Sequence, residues 1–277
     1  MMTAATSAPP LGVIEGYRQV TPVVERDGAT AEVDATGVYF QQLNETVRRL
    51  VAEGATTVRI AGVNGQRYLG AGLAAPGVRI EVHGTAGNDT AMFMDGAEIE
   101  IFGNAQDGVG NTMSGGRVIV HGDAGDVLGY GMRGGRVFVR GDVGYRVGIH
   151  MKAYEKHVPV LVCGGKARDF FGEYMAGGML VLLGMTGRDA AQPIAGSFLG
   201  AGMHGGAIFV RGTVEPWQCG AEVGISEAGE EHRAALRPVI EEYAATMDMD
   251  AAEILAAPFT RIAPMSHRPY AKLYAPM

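Results

Sequence analysis

Three consecutive segments carry the fold: AGNDTAMFMDGAEIEIFG (86–103), AQDGVGNTMSGGRVIVHG (105–122) and AGDVLGYGMRGGRVFVRG (124–141). Aligned on their closing glycines they superpose, with Gly84, Gly103, Gly122 and Gly141 each 19 residues apart. Met94, Met113, Met132 and Met151 keep the same interval. Stretched copies follow: ARDFFGEYMAGGMLVLLG ends at Gly184 and GAGMHGGAIFVRG at Gly212, retaining Met175 and Met203. A degenerate copy, GQRYLGAGLAAPGVRIEVHG (65–84), precedes them, which brings the count to seven.

A 19-residue unit is too short for a helical pair or a propeller blade. Each copy ends in a strand-like run such as Arg117-Val118-Ile119-Val120-His121, whose alternation puts Val118 and Val120 on one face. The equivalent positions form two aliphatic ladders. One is Ile80, Ile99, Val118, Val137, Val160, Leu180 and Ile208; the other is Val82, Ile101, Val120, Val139, Val162, Leu182 and Val210. Stacked coils would bury such ladders as one column. Glycines suit the bends, and the flexible methionine fills irregular interior space.

The expected fold is an all-β solenoid, a right-handed parallel β-helix of about seven coils with helical caps at both ends. At about 4.8 Å per coil the column is roughly 34 Å long. The expected organisation is an N-terminal arm over 1–30 and a capping helix and strand over 31–64. The β-helix follows over 65–212, with C-terminal helices and an extended tail over 213–277. In the first cap, Phe40, Leu43, Val47, Leu50 and Val51 recur at helical spacing before Gly54. Glu227–Thr246 reads as a second helix that Pro238 could kink, and Asp250 starts a third.

Composition excludes several classes. The 277 residues include 43 glycines, about double the usual share, without the three-residue period of collagen. With 47% hydrophobic and 19% charged residues, the chain is not of the disordered type. A net charge of −7 argues against a free-standing nucleic-acid binder. Cys163 and Cys219, the only cysteines, cannot make a disulfide framework or a four-thiolate cluster site. No signal peptide or membrane-spanning run is read, so the expected location is cytoplasmic.

No catalytic, cofactor-binding or metal-binding residue is expected in this chain. Gly129-x-Gly131-x-x-Gly134 and Gly200-x-Gly202-x-x-Gly205 match a dinucleotide fingerprint, but they recur at the solenoid period and precede strands rather than helices. The seven histidines show no ligand spacing. His83 and His121 sit two coils apart, too far to share a metal directly. Asp107, Asp126 and Asp169 read as turn residues.

Surfaces are more informative. The outward position between the ladders reads Glu81, Glu100, Ile119, Phe138, Leu161, Val181, Phe209. The first two are taken as solvated, and the apolar five as a stripe covered by the C-terminal helices or by a partner. One coil gathers Arg146, His150 and Lys152. The candidate partner interface is therefore Ile119, Phe138, Leu161, Val181 and Phe209, with Arg146, His150 and Lys152. The segments Lys152–Lys156 and Arg188–Phe198 break the repeat, and such irregularities often lie on a binding face.

The coils, GDAGDVLGYGMRGGRVFVRG (122–141) most clearly, resemble the GXGXG repeat domain that closes the large subunit of glutamate synthase. The resemblance covers roughly residues 30–215, and the tail SHRPYAKLY (266–274) is similar to stand-alone versions of the domain. The same repeat occurs in N-methylglutamate synthase, in its second subunit. It also occurs in one subunit each of formylmethanofuran dehydrogenase and the related formyltransferase/hydrolase complex. The resemblance implies a right-handed β-helix that acts as scaffolding. It also implies partners: a class II glutamine amidotransferase-like subunit that releases ammonia, and an FMN-binding synthase subunit with an iron–sulfur cluster. That subunit would transfer the amino group to 2-oxoglutarate, giving glutamate or N-methylglutamate. This sequence has no cysteine near Met1-Met2-Thr3 to serve as the amidotransferase nucleophile and no cluster cysteines. FMN and cluster are thus expected in a partner, with no nucleic acid or membrane involved. The alternative is a structural subunit of a C1-transfer complex, which a row of Arg or Lys along the coils would favour. Arg117, Arg136, Arg140 and Arg211 make a partial row.

Overall fold

A computed structural model describes residues 20–186 and 193–267. The chain opens with β1 (Val23–Asp27), β2 (Thr30–Asp34), α1 (Phe40–Ala52) and β3 (Thr57–Asn64). The repeats supply β4 (Arg79–Thr85), β5 (Glu98–Phe102), β6 (Arg117–Val120), β7 (Arg136–Val139), β8 (Val160–Cys163), β9 (Ala176–Leu182) and β10 (Gly205–Arg211). After them come β11 (Val223–Glu227), α2 (Glu230–Met247), α3 (Ala251–Ala256) and β12 (Phe259–Pro264). All twelve strands join one sheet in the order β1-β2-β3-β4-β5-β6-β7-β8-β9-β10-β12-β11.

From β2 to β10 every pairing is parallel. The repeats therefore build a parallel β-solenoid. Seven repeat strands joined by six crossovers make about six turns, slightly fewer than the seven coils counted in the sequence.

Polarity reverses at both ends: β1 runs antiparallel to β2, and β12 antiparallel to both β10 and β11. The sequence reading missed these reversals. It placed residues 23–27 in an N-terminal arm and 259–264 in an extended tail. The rest of that arm, residues 1–19, and the tail from residue 268 lie outside the described residues. Two buried glutamines close the ends of the column. The Gln66 side-chain amide donates to the carbonyls of Ala35 (2.9 Å) and Val38 (3.2 Å). That of Gln218 donates to the carbonyl of Ala195 at 2.9 Å.

The interior is a single apolar column. Met94, Met113, Met132, Met151, Met175 and Met203 are all fully buried. At the N-terminal end α1 packs on it through Leu43, Val47 and Leu50. A second core lies outside the solenoid, where Leu236, Val239, Ile240, Tyr243, Ala244 and Met247 of α2 roof the outward face of the sheet. α2 continues through Pro238 as one helix.

One register differs from the expectation. Val137 pairs with Leu161, and Leu161 with Leu180; Val139 pairs with Cys163, and Cys163 with Leu182. The inner ladders therefore hold Leu161 and Cys163, while Val160 and Val162 face outward under α2. All four residues of β8 are buried. With both faces covered, alternation carried no parity signal.

Aspartates and an asparagine tie successive coils together. Asp107 Oδ1 accepts from the backbone N–H of Asp126 (2.8 Å), and Asp126 Oδ1 from that of Tyr145 (2.9 Å). A parallel row runs from Asn104 to the Asp123 N–H and from Asp123 to the Asp142 N–H, both 3.0 Å. Asp169 accepts from Ser197 N–H at 2.8 Å. The turn-residue reading of Asp107, Asp126 and Asp169 holds, with the bond made one coil onward.

Candidate interaction surface

The broad outward face of the sheet is closed in two ways. Under α2 and α3 lie Ile119, Phe138, Val162, Val181 and Phe209, each no more than 2% exposed. The expected partner stripe is thus corrected: Ile119, Phe138, Val181 and Phe209 are covered by the chain's own helices, and Leu161 is inside the solenoid. Toward the N-terminal coils the same position carries Glu81 and Glu100, which are not simply solvated. Glu81 pairs with Arg59 (2.9 Å) and Arg79 (3.1 Å). Glu100 is buried and binds Arg79 and His121, the latter at 2.7 Å.

The partial arginine row is also engaged. Glu242 of α2 binds Arg136 at 3.0 Å and approaches Arg117 at 3.6 Å. Arg140 donates to the Met247 carbonyl (2.7 Å) and Arg211 to that of Ile254 (3.3 Å). A groove of about 430 Å³ remains beside this row, edged by Lys156 and His157 of the repeat-breaking segment.

What stays open is the glycine corner. Each turn here places three alternate residues in the left-handed region, as in Val127 (φ 52°), Gly129 (64°) and Gly131 (58°). The middle position points inward and admits little. A Cβ on Gly148 would lie 2.6 Å from Leu180 Cδ1, and only glycine or Ala91 occupies this row. The outer two positions carry residues from glycine to Phe170, at a conformational cost of about 1 kcal/mol or more for non-glycine, although a Cβ on Gly108 would meet Asp89 Oδ1 at 2.6 Å.

In the last three coils large side chains occupy these outer positions: Arg146 (φ 57°), His150 (55°), Phe170 (66°), Tyr174 (52°) and Phe198 (63°). They stack. Phe170 and Phe198 have centroids 4.8 Å apart at 10°, and the Arg146 guanidinium carbon lies 4.6 Å over Phe170. His150 and Tyr174 stack at 5.3 Å and 11°, with Tyr130 edge-on to His150 at 5.9 Å. Beneath them Glu173, buried, is the counter-ion of Arg146. The structure thus brings Arg146 and His150 together, with Lys152 exposed at the rim. Sequence reasoning missed Phe170, Tyr174 and Phe198. The signal was available: they stand where sister copies carry Gly108, Gly131 or Gly202.

A second stack places Phe102 between His83 (4.8 Å) and His121 (5.1 Å), so a ring fills the gap between the two histidines. Cys163 is sealed in the core, where burial pushes its thiol far up. Cys219, half-buried, is pushed up to about 11 by the same cause. Among the described residues, no three His, Cys, Asp or Glu side chains converge in a way that could hold a metal ion. No helix among them is long and apolar enough to cross a membrane.

Four of the seven corners read G-x-G: Gly70-x-Gly72, Gly108-x-Gly110, Gly129-x-Gly131 and Gly200-x-Gly202. The GXGXG motif family model matches residues 41–267, and the chain belongs to that family. It is 43% identical over 251 residues to an uncharacterized protein of Methanocaldococcus jannaschii, a match spanning 88% of this chain and 96% of that one.

Proposed function

We propose that the chain is a non-catalytic scaffold subunit of a glutamate-synthase-like, glutamine-dependent complex that transfers an amino group to 2-oxoglutarate. Family membership supports this reading, since the GXGXG domain is found in the C-terminal part of glutamate synthase large subunits. In this reading a class II amidotransferase-like subunit releases ammonia, and a synthase subunit with FMN and an iron–sulfur cluster adds it to the acceptor. The site of action is the cytoplasm. The present chain holds the partners in register and binds neither cofactor.

The observation that carries the choice is the engagement of the arginine row. A C1-transfer subunit would use such a row to cradle a long anionic cofactor. Here Arg117 and Arg136 face Glu242, while Arg140 and Arg211 cap carbonyls of α2 and α3. Glu242 and the helix carbonyls thus take up charge and donors that a cradle would offer to its ligand.

The test is to purify the tagged chain from its own cells, identify what accompanies it and record the visible spectrum. A flavin-bearing subunit together with an amidotransferase-like subunit is the expected result. Feeding ammonia, methylamine and 2-oxoglutarate then names the product. A formyltransferase with a metal-dependent hydrolase and no flavin band would sink the reading.

A further inference from the structure

We propose that the aromatic and cationic corner of the last three coils is the docking surface for a partner subunit, which meets it with an apolar centre flanked by carboxylates. The inference rests on the scaffold reading for the partner's identity, but on the geometry of the corner for the place. Arg146, His150, Phe170, Tyr174 and Phe198 all hold left-handed backbone conformations that glycine adopts freely. The same rows show glycine at Gly108, Gly131 and Gly202, so the solenoid does not require side chains there. Nor do these rings feed either core, since Tyr174 and Phe198 are 39% and 52% exposed. Tyr68 and Phe93 hold the same conformation in the N-terminal coils, but in the last three coils the rings also stack coil on coil, which marks a surface ordered for contact.

The rings are also pre-ordered. Stacking fixes Phe170 on Phe198 and His150 on Tyr174, so a partner would lose little rotamer freedom on binding them. Charge selects the partner's rim. Exposed Lys152 and Arg168 flank the corner two residues beyond His150 and two before Phe170. Neither has an ion pair or side-chain hydrogen bond among the described residues. Unpaired cations around apolar rings are complemented by carboxylates around an apolar patch.

The experiment compares the full-length chain with two variants, Tyr174→Gly/Phe198→Gly and Lys152→Glu/Arg168→Glu, each purified from its own cells with and without nuclease. The ring variant should keep or raise its melting temperature, because glycine relieves two strained positions. Both variants should lose the flavin-bearing or amidotransferase-like partner by about tenfold or more. Retention of partners by both variants overturns the surface while leaving the scaffold reading in place. A lower melting temperature for the ring variant also overturns it, by making the rings structural. If the wild-type chain instead brings down an identified acidic protein of another kind that both variants lose, the surface stands and the scaffold reading falls. Association abolished by the nuclease overturns it in favour of nucleic acid.

Discussion

The ring of Tyr243 stands edge-on to that of Phe138, with centroids 5.6 Å apart and planes at 83°. Its hydroxyl donates to the Val139 carbonyl at 3.1 Å. One residue of α2 thus reads both the outward side chain and the backbone of β7. Phe138→Ala should cost about 3–5 kcal/mol in urea unfolding. Tyr243→Phe should cost only about 1 kcal/mol, because the Val139 carbonyl keeps its bond from Gly164 N–H at 2.8 Å. Equal losses for the two would mean that α2 is held chiefly by that hydroxyl.

The corner glycines should divide into two classes. Gly148→Ala sets a Cβ 2.6 Å from Leu180 Cδ1, and about 2 kcal/mol or more of stability should go. Gly131→Ala meets nothing nearer than Thr112 Oγ1 at 3.6 Å, leaving about 1 kcal/mol of left-handed strain. Thermal melts of the pair check the order; a reversed order would contradict the inward and outward assignment.

The side-chain rungs between coils offer a chemical test. Asp126→Ala removes the acceptor for Tyr145 N–H and should cost about 1 kcal/mol. Asp126→Asn keeps an acceptor oxygen and should be close to wild type. A loss as large for Asn as for Ala would show that charge, not the hydrogen bond, is what matters.

Thiol labelling should follow burial. Raised thiol values delay thiolate formation, so near pH 8 iodoacetamide should label neither cysteine of the folded chain appreciably. Labelling of Cys219 should climb as pH approaches its value of about 11. Cys163, sealed in the inner ladder, should react only on unfolding, as mass spectrometry before and after guanidinium treatment will show.

The solenoid was readable because its period is written in rigid terms, a closing glycine in every copy and a methionine in six of the seven. α1 was readable from Leu43, Val47 and Leu50, whose spacing has no other use. Legibility failed where a strand is covered on both faces. β8 is apolar at every position, so Leu161 could be assigned to either side. It failed again where contacts join distant parts of the chain. Nothing local in Glu242 announces Arg117 and Arg136, and nothing in the sequence of α2 says that it lies on Phe138 rather than offering a face to another protein. The corner was half legible. Arg146, His150 and Lys152 stood out by charge, whereas Phe170, Tyr174 and Phe198 passed as ordinary repeat variation.

α2 runs along the solenoid rather than across one coil. His232 near its start lies 6.5 Å from Phe209 of β10, while Glu242 near its end reaches Arg136 of β7 and Arg117 of β6. In a simple stacked array each unit touches only its neighbours, and melting can begin at an end and creep inward unit by unit. A strut bonded to coils far apart removes that freedom, because no single coil under it can leave without stripping the helix from the others. The C-terminal half of the column should therefore melt as one all-or-none block. The N-terminal turns, which α2 does not span, are where piecemeal opening remains.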